Sequence, residues 1–300
     1  MTAALRIGTR SSPLALWQAR HVQALLSKKR PVELVLIETQ GDKIRDRPLS
    51  QIGGIGLFTK EIQNALLDAR VDVAVHSLKD LPTVPVPGLM LYSVPSRAPS
   101  GDAFVSTRHT RFDAMPNGAR VATSSLRRRS QLLYRRPDLQ VEDLRGNVET
   151  RLRKLQELDL DAIVLAEAGL RRLGLESHIT EILDPAWMLP AVGQGALGLE
   201  CRTDDTTTQE SLAELNDPPT WQAVKAERSF LAALGGGCLV PIGALASVTE
   251  ETLTVRGVIL PADGTKRIAG EETGPISEAQ TIGEKLAQRL LEGGARDWLI

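Results

Sequence analysis

The chain has 300 residues, 42% of them hydrophobic and 24% charged, and a formal net charge of −1 at pH 7. That length exceeds one ordinary core, so two or three compact units are expected, and no run reaches the roughly 18 apolar residues of a membrane span. Two cysteines without CxxC spacing and four scattered histidines argue against a disulfide framework, a metal site and a histidine-based triad, and fit a soluble protein of the reducing cytoplasm.

Residues 5–8 read as a strand, and the loop 9–13 feeds a helix over 13–26, with Ser12 as N-cap and Pro13 at the first helical position. A strand over 32–39 precedes a loop over 40–56 that has the look of a lid. A helix over 58–67 and a strand over 71–77 follow; the run Val71-Asp72-Val73-Ala74-Val75 suits a mostly buried strand. The proline-rich stretch 82–99 and the segment 190–195 are the expected crossings between lobes. The same alternation restarts near Gly101, with strands at 103–106, 120–123, 141–144 and 162–166 and helices starting near Ser125, Asn147 and Gly169. This predicts an α/β protein of two similar lobes with largely parallel sheets, 1–97 completed by 194–216, and 98–193. After residue 216 the grammar changes to one helix ending near Leu234, strands at 242–246, 252–260 and 266–270, and a helix over 278–292. A small α+β unit over 217–300 is expected there.

The near-zero net charge hides a local bias, because residues 97–154 hold twelve arginines and one lysine against six acids. Single-strand nucleic-acid binders also need aromatic platforms, and this segment has only Phe104, Phe112 and Tyr134. Carboxylate or phosphate ligands are therefore expected rather than nucleic acid. In open α/β sheets, ligands bind beyond the carboxyl ends of the strands. Arg10 and Ser12 follow the first strand, and His76-Ser77-Leu78-Lys79-Asp80 ends the third. Thr123-Ser124-Ser125-Leu126-Arg127-Arg128, then Arg145-Gly146-Asn147 with Arg151, then Arg171 and Arg172 close strands of the second lobe. Helix N-termini at Ser12 and at 123–125 add N–H donors, so both lobes offer anion sites to the cleft between them.

Two of these positions read two ways. Asp80 either steadies a transient cation or shuttles protons in the cleft, or it caps a turn before Pro82. Cys238, behind Gly235-Gly236-Gly237, is either an exposed thiol able to carry a covalent group or a small buried hydrophobe. His76 reads as readily as a core histidine, and no catalytic role is assigned to it.

Seven blocks in order, 6–15, 56–61, 74–80, 118–128, 144–152, 189–196 and 236–243, give the chain a pattern that resembles the porphobilinogen deaminase (hydroxymethylbilane synthase) family along nearly its whole length. The resemblance implies an enzyme of tetrapyrrole biosynthesis that joins four porphobilinogen units head to tail, releases ammonia at each step and frees the linear hydroxymethylbilane. It implies a dipyrromethane cofactor, assembled from substrate and held by a thioether to Cys238 as the primer. It also implies two lobes like those of a periplasmic solute-binding protein, with the cysteine loop on the third unit. Asp80 would contact pyrrole N–H groups and stabilise the azafulvene cation left when ammonia departs. Lys79, Ser125, Arg127, Arg128, Arg145 and Gly146 would surround the cofactor with Asp80 and Cys238, while Arg10, Ser12, Thr123, Arg151, Arg172 and Gln194 would hold substrate carboxylates. The partners are then porphobilinogen and the growing oligopyrrole, with no membrane, and the chain is a monomer. One departure is Ile55, where the family usually has lysine; Lys43, Arg45 and Arg47 stand near enough in sequence to replace that lid contact. The competing reading is a two-lobed binding protein for a polycarboxylate, which would have an export signal and no use for the cysteine loop.

Overall fold

The computed structural model describes residues 4–43, 56–235 and 241–299, with no account of the side chains of Asp42 and Lys43. Residues 44–55 of the expected lid, including Arg45, Arg47 and Ile55, lie outside the described residues, as does Cys238 with Gly236 and Gly237; a short helix, Gln40–Lys43, opens the lid segment.

The first lobe is a five-stranded sheet in the order β2-β1-β3-β10-β4. β1 (Leu5–Thr9) runs parallel to β2 (Val32–Leu36) and β3 (Val73–Ser77). β10 (Leu197–Arg202) returns late in the chain, antiparallel between β3 and β4 (Leu89–Ser93). Helix α1 (Pro13–Leu26) is capped as expected, Ser12 Oγ accepting from Ala15 N at 3.4 Å. It lays Ala19, Val22 and Leu26 on the same core as Leu5, Ile7, Val75 and Leu199. Helix α2 (Lys60–Leu67) covers the other face through Ile62, Ala65 and Leu66, packed with Val71 and Ala74.

The second lobe repeats the plan in the order β7-β6-β8-β5-β9. β6 (Arg120–Ala122) pairs in parallel with β7 (Gln140–Glu142) and β8 (Ala162–Ala166), and β5 (Asp102–Val105) lies antiparallel to β8 and to β9 (Glu181–Ile182). Each sheet thus holds one antiparallel strand, in the fourth place, and each such strand is the one that arrives from the other lobe: β5 after the first crossing, β10 after the second. Helices α3 (Leu126–Arg135), α4 (Val148–Glu157) and α5 (Glu167–Arg172) start at carboxyl ends of these strands. One strand and one helix absent from the sequence reading have local causes. β4 sits inside the stretch 82–99, where flanking prolines mask a five-residue strand, and helix α6 (Thr206–Ala213) forms on the Asp205 cap where no helix was expected.

The third unit is an antiparallel meander of β11 (Ile242–Thr249), β12 (Thr252–Ile259) and β13 (Ile268–Pro275), covered by α7 (Pro218–Ala233) and α8 (Ala279–Leu290). Phe230, Leu253, Val255, Ile282 and Leu286 form its core. The helices meet so closely at Gly283 that a Cβ there would lie 2.2 Å from Ala226 O. One carboxylate docks this unit onto both interlobe crossings. Glu227, wholly buried on α7, accepts from Arg97 Nη1 at 2.6 Å, Gly193 N at 2.7 Å and Ala246 N at 2.9 Å. Among the described residues no helix is long and apolar enough to cross a membrane.

Candidate active-site cleft

The parallel strands of both lobes end on one cavity of about 800 Å³. Its walls carry Arg10, Lys79, Arg128, Arg145, Arg151, Arg153 and Lys154 against only Asp80 and Glu149. A space whose walls carry seven cations and two acids is suited to a ligand with several carboxylates.

From the first lobe, Arg10 projects past β1 with its guanidinium 4.2 Å from the centroid of the Phe58 ring. Beyond β3 the chain makes a single 3₁₀ turn, Leu78–Asp80. That turn is fixed from two sides: Leu78 N donates to Ala196 O at 3.0 Å, and Arg228 on α7 donates to Leu81 O at 2.9 Å and Pro82 O at 2.7 Å. Lys79 and Asp80 are therefore presented by a braced turn. Burial, with Arg128 adding to it and Asp80 opposing it, pushes the Lys79 ammonium down to about 8. The Asp80 carboxylate makes no hydrogen bond among the described residues, so it does not serve as the turn cap that the local sequence allows.

From the second lobe, Gly146 takes φ = 121°, a conformation closed to L side chains, and a Cβ there would lie 2.5 Å from Thr150. The kink sets Asn147 as N-cap of α4, its Oδ1 accepting from Thr150 N at 2.8 Å. Arg151 Nε donates to Gly146 O at 2.8 Å and Lys154 Nζ to Arg145 O at 3.2 Å, which holds the basic face of α4 against the loop. Burial together with Arg128 and Arg145 pushes Arg151 down to about 10.

Other expected contacts stand back from this wall. Arg127 donates through Nη1 to Asp102 Oδ2 at 2.6 Å and Leu189 O at 2.7 Å, so its guanidinium is spent on the core between β5 and the second crossing. Gln194 Nε2 donates to Ser100 O, Gly101 O and Asp102 Oδ1, and is 1% exposed. Thr123 Oγ1 accepts from Ser125 N, and Ser125 Oγ accepts from Arg128 N as the N-cap of α3. Arg172 donates to Gly195 O at 2.7 Å and lies 5.7 Å from the Trp17 ring centroid, tying α5 to the second crossing and to α1. These residues buttress the cleft from behind and tie it to the second crossing. Arg128 does both jobs: Nε and Nη2 donate to Asp102 Oδ1 while the side chain also faces the cavity.

The sequence reading missed Asp102 and Phe58. Asp102 opens β5, a strand buried at every residue, and an acid at such a position signals a buried partner. Cys201 is wholly buried in β10, and burial, with Asp205 next, pushes its thiol up to about 11, which rules it out as a reactive sulfur.

Fold and cleft define a class: a two-lobed α/β protein with a cationic interlobe cavity in which Asp80 and Glu149 are the acids. Comparison with known proteins narrows the class. A family model described as "Porphobilinogen deaminase, dipyromethane cofactor binding domain" matches residues 5–210, and one described as "Porphobilinogen deaminase, C-terminal domain" matches 221–292. The porphobilinogen deaminase of Syntrophotalea carbinolica is 53% identical over 297 residues, covering 98% of this chain and 94% of that protein. That of Geobacter metallireducens is 50% identical over 298 residues, covering 98% and 93%. Among solved structures, the methionine-binding protein MetQ is 14% identical, covers 75% of this chain and 93% of its own, and gives a TM-score of 0.46. The chain belongs to the porphobilinogen deaminase family.

Proposed function

We infer that the chain joins four porphobilinogen units head to tail with loss of ammonia at each step and releases hydroxymethylbilane. The carrying observation is the cavity of about 800 Å³ in which cations from both lobes surround Asp80. Each porphobilinogen brings an acetate and a propionate, so the chain under construction gains two negative charges per unit, and a binding surface of one sign suits every length of it. A dipyrromethane, with four carboxylates, fits the same wall, and Arg128, Arg145, Lys79 and Arg151 would hold it. When bound, it supplies the free pyrrole carbon to which the first unit is joined.

The residues have separable tasks. Arg10, Arg145, Arg151 and Lys79 fix carboxylates and thereby the relative placement of two pyrrole rings. Asp80, on its braced turn, accepts from pyrrole N–H and offsets the positive charge that develops on the substrate as ammonia leaves. It is also the group placed to accept the proton released once the rings are joined. Cys238 carries the cofactor as a thioether in this reading; Cys201 is unsuited to it. The units 1–97 with 194–216, 98–193 and 217–300, a monomeric state and a cytoplasmic location complete the proposal, with no role for nucleic acid.

Arg145→Leu tests the cleft without disturbing the Asp102 cluster. It is expected to weaken binding of substrate or chain by about 1.5 to 3 kcal/mol, the worth of one charge-assisted contact. Arg108→Leu, which removes a half-exposed ion pair to Asp159 outside the cavity, is the control and leaves KM unchanged. Equal effects at both positions, read from KM for ammonia release, contradict the cleft assignment.

A further inference from the structure

A second cavity, of about 80 Å³, adjoins the cleft and shares Arg10, Ser77 and Asp80 with it as walls. Its remaining polar lining comes from Ser12, Gln18, Thr59 and His76, and the volume is large enough for several waters with partners on more than one side. His76 is 4% exposed. Its Nε2 lies 3.0 Å from Glu200 Oε2 on β10, and Gln63 of α2 donates to both Glu200 oxygens, at 3.0 and 3.2 Å. A carboxylate only accepts, so Nε2 is the ring nitrogen that donates to Glu200, and Nδ1 is the one left to the cavity side. Among the described residues Nδ1 has no hydrogen bond. A buried carboxylate thus orients a ring in the wall of a cavity that the central acid also lines. The charged groups around that ring are Glu200, and Arg10 and Asp80 on the cavity wall; α1 and α2 contribute the neutral amides Gln18 and Gln63.

Each condensation, in the functional reading on which this inference rests, breaks one C–N bond and forms one C–C bond. Nitrogen leaves as ammonia with the bonding pair. The attacked ring carbon then loses its proton, and the pair of that C–H bond restores the aromatic ring. We propose that His76, held by Glu200, relays this proton: from Asp80 through water in the side cavity to Nδ1, and from there through water to the ammonia already released in the same turnover, which becomes ammonium. Asp80 is returned to its carboxylate form for the next unit, and four turnovers proceed without opening the cleft to discharge a proton. His76 acts through Asp80 and is a positioning and relay residue.

The test uses the purified holoprotein with porphobilinogen, quenched at successive times and read by intact mass, which counts units attached to the chain. His76→Ala is expected to slow each addition by about a hundredfold, within the usual range for losing a proton-transfer group. Loss of the buried bond to Glu200 should lower the melting temperature while leaving the protein folded, and imidazole added to the buffer should restore part of the rate through the vacated cavity. Glu200→Gln, which keeps the shape, is expected to slow addition by about tenfold and to enlarge the solvent deuterium effect. Unchanged addition rates in either variant overturn the relay, as does a slowed His76→Ala with no response to imidazole. Should His76→Ala fail to fold, Glu200→Gln decides: a wild-type rate overturns the proposal, and a slowed one with a larger deuterium effect supports it. Wild-type protein that adds no units would sink the functional reading instead, so the two failures are distinguishable.

Discussion

Asp80→Asn is expected to fold normally and to lose turnover by about three orders of magnitude, because an anion preorganised beside a transient cation is replaced by a neutral dipole. Asp80→Glu keeps the charge on a longer stem and should retain a measurable part of the activity. The structure sharpens this expectation. A capping aspartate would tolerate asparagine, which caps turns as well, but the Asp80 carboxylate bonds to no N–H among the described residues. Its turn is braced by Arg228 and Ala196 rather than by its own side chain, so the substitution leaves the backbone where it was. Ammonia release and thermal melting, measured on both variants, check the point; an active Asp80→Asn contradicts the assigned role.

Asp102→Ala is expected to destabilise the protein by roughly 3 to 5 kcal/mol, the usual loss when one partner of a buried charge cluster is removed. Asp102 is wholly buried, and Arg127, Arg128 and Gln194 all donate to it. Removing it leaves two desolvated guanidiniums facing each other and frees Arg128 to shift within the cleft wall. The same carboxyl gives a pH signature. Its two arginines hold it well below the ordinary carboxylate range against the cost of burial. A depressed folded-state value means the stabilisation is present above the unfolded value, near 3.9, and is lost as pH falls toward the folded one. Urea unfolding of the wild type near neutrality and in acid, beside Asp102→Ala, should show the two curves converging as the pH drops. A gap that does not narrow in acid contradicts the charge-cluster account.

The elements that place the cleft were legible because they rest on local rules. Ser12 and Pro13 start α1 where capping chemistry puts a helix, and Arg10, Lys79, Asp80, Arg145, Gly146 and Arg151 fall at strand ends that line the cavity. What escaped the sequence depends on partners far along the chain. Arg127 and Arg128 are neighbours in one helical turn, and only the arrival of Asp102 and Leu189 decides that the first is consumed by the core. Arg172, placed after β8, gives one of its five N–H groups to Gly195 O of the second crossing, a tie its local sequence does not announce. Glu227 carried no local sign that it would join Arg97, Gly193 and Ala246. Long-range pairing of buried charges leaves no periodicity to read.

The intact mass of the denatured, purified protein is the most direct measurement, because a thioether survives unfolding and a bound ligand does not. Protein made in cells that form porphobilinogen should exceed its polypeptide mass by one dipyrromethane; Cys238→Ser should lose the excess, and Cys201→Ser, at the buried β10 sulfur, should keep it. A wild-type mass equal to the bare chain, or an excess that persists in Cys238→Ser, would contradict the assignment.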